Sequence, residues 1–459
     1  MTHYTPQNTL RKRFDKMMRT GSKSKYIVAI VCMLCIILFA AACDGSPEEG
    51  AVREYHQTEP ESSQNTSDAS PGGSTEPAGD PNLPNSDVKE SSGQEEASVS
   101  PDPEPDPSPV VIYPGPDVEL FPYDGIVEHL FFHEVIAYPE LAFDGDSMEK
   151  GYDDNMVTVS EYNKMLDSMY RNGYILVDLN DVWSEYVNDN GQLRMKKNTL
   201  MLPEGKKPLV LSYDDISFYE YMRNDGFMEK LIIGDDGEIW ASGFDPKGNP
   251  VVSQDYTVVT ILDKFIREHP DFSLGGVKGC IALTGYEGIL GYRTQFDRND
   301  TSEAFRLNRM QELVRVRPVV QRLKETGWYF ATHSYGHISL TSSSLERVKT
   351  DAQRWLDEVG ALVGETKIFI YPFGTRLDGD DVNKTGSAFR YYQELGFRIF
   401  ASVGRESYSK IKTDISAVIC DRMHADGISL RNERNRYMIF YDAAEVFDPA
   451  RKEKYGKSW

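Results

Sequence analysis

Two short clusters in this 459-residue chain combine residue types that can do chemistry: the adjacent carboxylates Asp214 and Asp215, and the imidazoles His333 and His337 in Thr332-His-Ser-Tyr-Gly-His337. The histidine pair alone suits two surface imidazoles on one turn as well as it suits a site. The aspartates sharpen the reading, because they follow the uncharged run Pro208-Leu-Val-Leu-Ser-Tyr213 directly. Burial and a neighbouring charge both oppose ionisation there, so such a pair is costly unless something uses it; the plain alternative is a solvated turn. Together the clusters supply one carboxylate and two imidazoles for a metal ion, with a second carboxylate alongside. Three protein ligands leave a coordination position for water, as a catalytic metal requires.

The elements that must position these residues alternate. Ser160, Tyr162, Met165, Leu166, Met169 and Tyr170 form a helical stripe with a Ser cap, closed by Gly173 and followed by the apolar strand Ile175-Leu-Val-Asp-Leu179. Pro208–Tyr213 reads as a buried strand ending at Asp214-Asp215, and Gly279–Leu283 as another apolar piece. A helix over 303–326 leads into the strand Trp328–Thr332 and then His333. A stripe through Leu345, Val348, Ala352, Trp355 and Val359 leads into Lys367–Tyr371, and a last helix ending before Gly396 leads into Phe397–Val403. Short strands without charge on either face, alternating with helices, predict an α/β fold with a parallel sheet, open or closed into a barrel. In such folds polar residues just past the strand ends form the active face, which is where Asp214-Asp215, His333 and Tyr371-Pro372 fall.

With these motifs in place, the chain resembles the NodB-type polysaccharide deacetylases, carbohydrate esterases with a distorted (β/α) barrel. The motif Phe-Asp-Asp-Gly appears as Tyr213-Asp214-Asp215-Ile216, His-Ser-x-x-His as His333-Ser334-Tyr335-Gly336-His337, and the motif around Pro-Tyr-Gly as Tyr371-Pro372-Phe373-Gly374. Phe131-Phe132-His133-Glu134 resembles the Tyr-His stretch that opens exported members acting on poly-N-acetylglucosamine. The similarity spans about residues 125–425. It implies that Asp215, His333 and His337 bind a divalent cation, with Zn2+ the default and Mn2+, Co2+ or Ni2+ compatible. It implies Asp214 as general base, the backbone N–H near Phe373 as an oxyanion donor, and His133 or, failing that, His424 as the acid that protonates the leaving amine. His129 lies four residues before His133, but on a strand that spacing is about 13 Å.

Three features depart from the family pattern. Ile216 stands where the family has Gly. Ile370 stands where an Arg often orients the base. The His-Ser pair lies more than a hundred residues after the aspartates, which points to an insertion near 224–300. Turn signals at Asp225-Gly226, Asp235-Asp236-Gly237 and Asp245-Pro-Lys-Gly read as hairpins within it. The insertion either shapes a substrate groove, with Trp240, Tyr286 and Tyr292 available to stack on sugar rings, or is surface ornament with those aromatics in the core.

Residues 1–25 are basic, and Ile27–Ala42 carries no charge. This is the layout of a secretory signal. Ala40-Ala-Ala-Cys43-Asp44 resembles a bacterial lipobox, with Cys43 as the lipid-bearing residue; the alternative is an uncleaved anchor, and both place the rest of the chain outside the membrane. Residues 44–109 are Ser, Glu, Asp, Pro and Gly with almost no large apolar residue, and read as a disordered tether ahead of a folded unit at 110–459. The net charge of −22 and the lack of a basic stripe argue against nucleic acid as a partner. The expected partners are a polysaccharide and, through the N-terminal anchor, the membrane. Cys280 and Cys420 either pair or remain buried thiols. The reading is an anchored N-deacetylase releasing acetate from N-acetyl amino sugars. Its rivals are an inactive deacetylase-like module that binds surface carbohydrate, and a solute-binding lipoprotein, which would leave the Asp pair and the His pair without a use.

Overall fold

The computed structural model describes residues 112–377, 382–412 and 416–457. Cys43, the signal and the whole of the tether lie outside the described residues. Seven parallel strands close into a barrel: β1 Glu128–Phe132, β2 Lys207–Asp214, β3 Cys280–Leu283, β4 Tyr329–Thr332, β5 Ile368–Ile370, β6 Ile399–Val403 and β7 Ala417–His424. Each pairs with the next in chain order, and β7 pairs with β1, so the ring is complete. The alternative of an open sheet is thereby settled in favour of a closed (β/α) barrel. Strand Tyr174–Leu176 flanks the first half of β2, and β3 flanks the second half.

Five helices occupy the first five crossovers: α1 Val159–Arg171, α2 Val258–Glu268, α3 Glu303–Glu325, α4 Leu345–Trp355 and α5 Val382–Glu394. Between β6 and β7 the connection carries a strand instead. Tyr408–Lys412 pairs antiparallel with the first half of β7, and β1 pairs with its end. The cap of α1 is Thr158 rather than Ser160. Thr158 accepts from the Glu161 N–H while the Glu161 carboxylate accepts from the Thr158 N–H, and this reciprocal box satisfies two otherwise orphaned donors.

Alternation along the strands sorts the side chains into two packed layers. Leu209, Leu211 and Tyr213 of β2 face the helices with Leu130, Phe132, Ile281 and Leu283. Val210, Cys280, Ala282, Ala331, Ile370, Ala401 and Cys420 fill the lumen. Small residues there suit a narrow seven-stranded ring. Cys280 and Cys420 are both buried and both free, so of the two readings the unpaired thiols hold.

The span 224–300 contains a three-stranded antiparallel sheet, Lys230–Ile233, Ile239–Phe244 and Pro250–Ser253. Two of the expected turns, at Asp235–Gly237 and Asp245–Gly248, join its strands, whereas Asp225-Gly226 precedes it. The same span also contains α2 and barrel strand β3, so the added sheet is shorter than the expected insertion. No helix among the described residues is long and apolar enough to cross a membrane.

Candidate metal and active site

β2 and β4 deliver the site residues to one end of the barrel. Asp214 is the last residue of β2, and Asp215 follows it with φ 61°. The Asp215 N–H still reaches the Ala282 carbonyl on β3 at 3.1 Å, so the left-handed residue turns sharply off the sheet while its backbone stays tied to it. His333 follows β4, and its N–H bonds the Leu283 carbonyl at 3.0 Å. The loop from His333 to His337 is held from outside by Asp351 of α4, whose carboxylate accepts the Tyr335 and Gly336 N–H groups at 2.7 and 2.8 Å. Ser334, His337 and Phe373 also have positive φ, at 55°, 46° and 57°. Such backbone is costly for non-glycine residues, and it clusters at this end of the barrel.

Asp215, His333 and His337 converge: one donor atom from each lies within 4.8 Å of the other two. The Asp215 Oδ2 atom is 3.8 Å from His333 Nε2 and 3.6 Å from His337 Nε2. These separations are too long for hydrogen bonds. They suit ligands sharing one ion, since two donors about 2.1 Å from a tetrahedral metal sit roughly 3.4 Å apart. His333 Nδ1 lies 2.9 Å from the Ile370 carbonyl, which can only accept, so the proton sits on Nδ1 and Nε2 presents its lone pair to the cluster. The donor set thus fits a divalent cation.

Asp214 is placed differently. Arg422 of β7, fully buried, grips it bidentately, Nη1 to Oδ1 at 2.7 Å and Nη2 to Oδ2 at 2.9 Å. Burial opposes ionisation of Asp214 most strongly. The charges of Arg422 and then His333 outweigh it and hold the carboxyl at about 2. Asp215 is likewise lowered: burial opposes, and His337, His333 and His133 prevail. Asp214 is therefore kept charged despite its burial, chiefly by Arg422. Arg422 also donates to Ser212 Oγ at 3.0 Å, which leaves the Ser212 proton for His129 Nε2 at 3.0 Å. Burial, aided by the Arg422 charge, holds His129 well below its ordinary range, in the neutral form that accepts this bond.

The departures from the family pattern have local explanations. The Ile216 side chain is fully buried in the core outside the barrel, and its carbonyl accepts the Leu290 N–H. At Ile370 the backbone carbonyl receives His333 Nδ1, while a guanidinium reaches Asp214 from β7 instead. Arg422 carried no clear signal in the sequence, since it stands beside another charged residue, Asp421, in Ala417–His424. Tyr219, which donates to Asp215 Oδ1 at 2.6 Å, carried none either.

Both candidate acids flank Phe131, with His133 at 5.9 Å and His424 at 6.5 Å between ring centroids. His133 Nδ1 lies 3.0 Å from the Asn155 carbonyl. His424 Nδ1 lies 2.7 Å from Asp426, and its Nε2 is 3.7 Å from Glu433. Burial alone would lower His424, but the bond to Asp426 and the Asp426 and Glu433 charges raise it. Phe373 stands at the rim, 66 % exposed, with its ring 4.4 Å from that of His337. Of the insertion aromatics, Tyr292 is buried and donates to the Leu231 carbonyl, Trp240 donates to Asp236, and Tyr286 stacks on Tyr219 at 4.6 Å.

No family model matches this sequence, and no curated protein does. Among solved structures, the chain is similar to the deacetylase PplD of Streptococcus pyogenes, solved in complex with acetate. That similarity has a TM-score of 0.37 and 13 % identity, covering 66 % of this chain and 93 % of that one. A polysaccharide deacetylase from Bacillus cereus aligns with a TM-score of 0.35 and 10 % identity, over 65 % of each chain.

Proposed function

We propose that this chain is a metal-dependent hydrolase that removes acetyl groups from N-acetyl amino sugars of a cell-surface or extracellular polysaccharide. The observation that carries the reading is the convergence of Asp215, His333 and His337 beside a second carboxylate, Asp214, that is kept charged while buried. A divalent ion, Zn2+ by default, would be held by Asp215, His333 and His337 and would supply Lewis acidity toward water and the acyl oxygen. Asp214 accepts the proton of the attacking water. A carboxyl held near 2 is a weak base, so its contribution rests on position, which the two-point grip of Arg422 fixes. His133 donates the proton to the leaving amine. Its Nδ1 faces the Asn155 carbonyl, which can only accept, so in the imidazolium form Nε2 is the atom that carries the transferable proton. The Phe373 N–H, on a turn at the rim, is the proposed donor to the developing oxyanion. The N-terminal region anchors the protein to the outer face of the membrane, with lipid on Cys43.

The test is a screen of N-acetylated glycans with the metal-loaded protein, measuring released acetate. Release that chelator abolishes and Zn2+ restores is the expected result. Stoichiometric metal with no acetate from any glycan would reduce the chain to a carbohydrate-binding module, and absence of metal binding would refute the site itself.

A further inference from the structure

We infer that Tyr219 is a positioning residue that confines Asp215 to one-oxygen ligation and so keeps a coordination position of the metal open. The inference rests on the metal site proposed above. The two oxygens of Asp215 have separate neighbours. Oδ2 faces both imidazoles, at 3.8 and 3.6 Å. Oδ1 meets Tyr219 Oη at 2.6 Å. A carboxylate ligand can only accept, so Tyr219 donates its proton to Oδ1. Tyr219 Oη is also 2.6 Å from Thr284 Oγ1, and with its own proton committed it accepts the Thr284 proton. Thr284 in turn lies 3.3 Å from Ser217 Oγ, so the hydroxyls form a one-directional chain ending on Asp215.

The ring has no freedom to leave this position. Tyr219 is stacked between Tyr286, at 4.6 Å and 7° between planes, and Tyr221, at 5.5 Å and 16°. Its backbone is set by the same turn that sets Asp215, in which Asp215 and Phe218 have φ 61° and 53°. Thr284 follows β3 directly, so the chain is anchored to the barrel on its donor side.

A carboxylate free at both oxygens can chelate a cation through both, taking two coordination positions. With Oδ1 committed to Tyr219, Asp215 contributes Oδ2 alone. Three protein donors then leave one position of a tetrahedral ion for water. Partners behind a metal ligand typically change affinity by about 10–100-fold.

Tyr219→Phe keeps the ring stack and deletes only the hydroxyl. The probes are Zn2+, titrated against a competing chelator, and Co2+, whose visible absorption weakens as its coordination number rises. The expected result for Tyr219→Phe is roughly 10–100-fold weaker Zn2+ binding with weaker Co2+ bands, while Tyr221→Phe matches wild type in both. Thr284→Val, which reaches Asp215 only through Tyr219, is expected to shift the same bands in the same direction by less, and it serves if Tyr219→Phe does not fold. Wild-type affinity and wild-type Co2+ bands in both Tyr219→Phe and Thr284→Val would overturn the role of Tyr219 and leave the metal site standing. A wild-type protein that binds neither ion would overturn the metal site and this inference with it.

Discussion

Arg422→Met tests the arrangement where its charges are most concentrated. Met keeps much of the side-chain volume in the lumen and removes the guanidinium that touches Asp214, Ser212 and the Ser402 carbonyl. The Asp214 carboxyl stands at about 2 against an ordinary 3.8, a difference worth about 2 kcal/mol. Loss of the bonds to Ser212 and Ser402 adds about 1 kcal/mol each. The total agrees with the ~3–5 kcal/mol expected when one member of a buried ion pair is removed. The pH dependence has a definite sign. A depressed carboxyl contributes stability that is complete above 3.8 and is lost as pH falls toward about 2. Without Arg422 the strongest influence on Asp214 is burial, which raises it. The variant then loses stability as pH rises above about 4. Both effects widen the gap with pH. Urea unfolding of wild type and Arg422→Met, with chelator present, should give a difference of about 3–5 kcal/mol at pH 7 and a smaller one at pH 4. A difference below about 1 kcal/mol at pH 7, or an equal one at both pH values, would refute the argument.

Asp214→Asn should retain stoichiometric Zn2+ and lose about 10²–10⁴-fold in turnover, measured as acetate release alongside elemental analysis; near-full turnover would remove Asp214 as the base. His133→Ala should lower turnover sharply at unchanged metal content, and His424→Ala should do less, because both His424 ring nitrogens already face carboxylates. The reverse ranking would move the acid to His424.

What could be read in advance was what lies close together in the chain. Asp214-Asp215 and His333–His337 were visible because each follows its strand at once and chemistry sits at strand ends. Barrel strands β2 to β6 are legible because burial on both faces demands uncharged runs, whereas β1 and β7, which carry Glu128, Asp421 and Arg422, are not. What stayed hidden depends on distance or on local geometry. Arg422 lies 208 residues from Asp214, and no spacing rule links them. Tyr219 is near Asp215 in sequence, but only the left-handed turn through Asp215 and Phe218 brings its hydroxyl back to the carboxylate. The cap of α1 was placed two residues late because Ser160 is a good cap by type, whereas the pairing of Thr158 with Glu161 decides the start. The connection between β6 and β7 defied the alternating pattern altogether, since a short strand stands there in place of a helix.

Cys280 and Cys420 line the lumen without pairing, and burial pushes both thiols up, that of Cys420 to about 12. Only a thiolate reacts readily with oxidants, alkylating reagents or another disulfide. Burial keeps both sulfurs in the unreactive thiol form. Cys280, fully buried, becomes reactive only when strands part and water enters. The barrel therefore carries its own clock: the rate at which a thiol-specific reagent labels Cys280 is the rate, or the equilibrium frequency, at which the ring opens. A bound metal that ties the ends of β2 and β4 together would slow that clock, and the labelling rate would record it without any substrate at all.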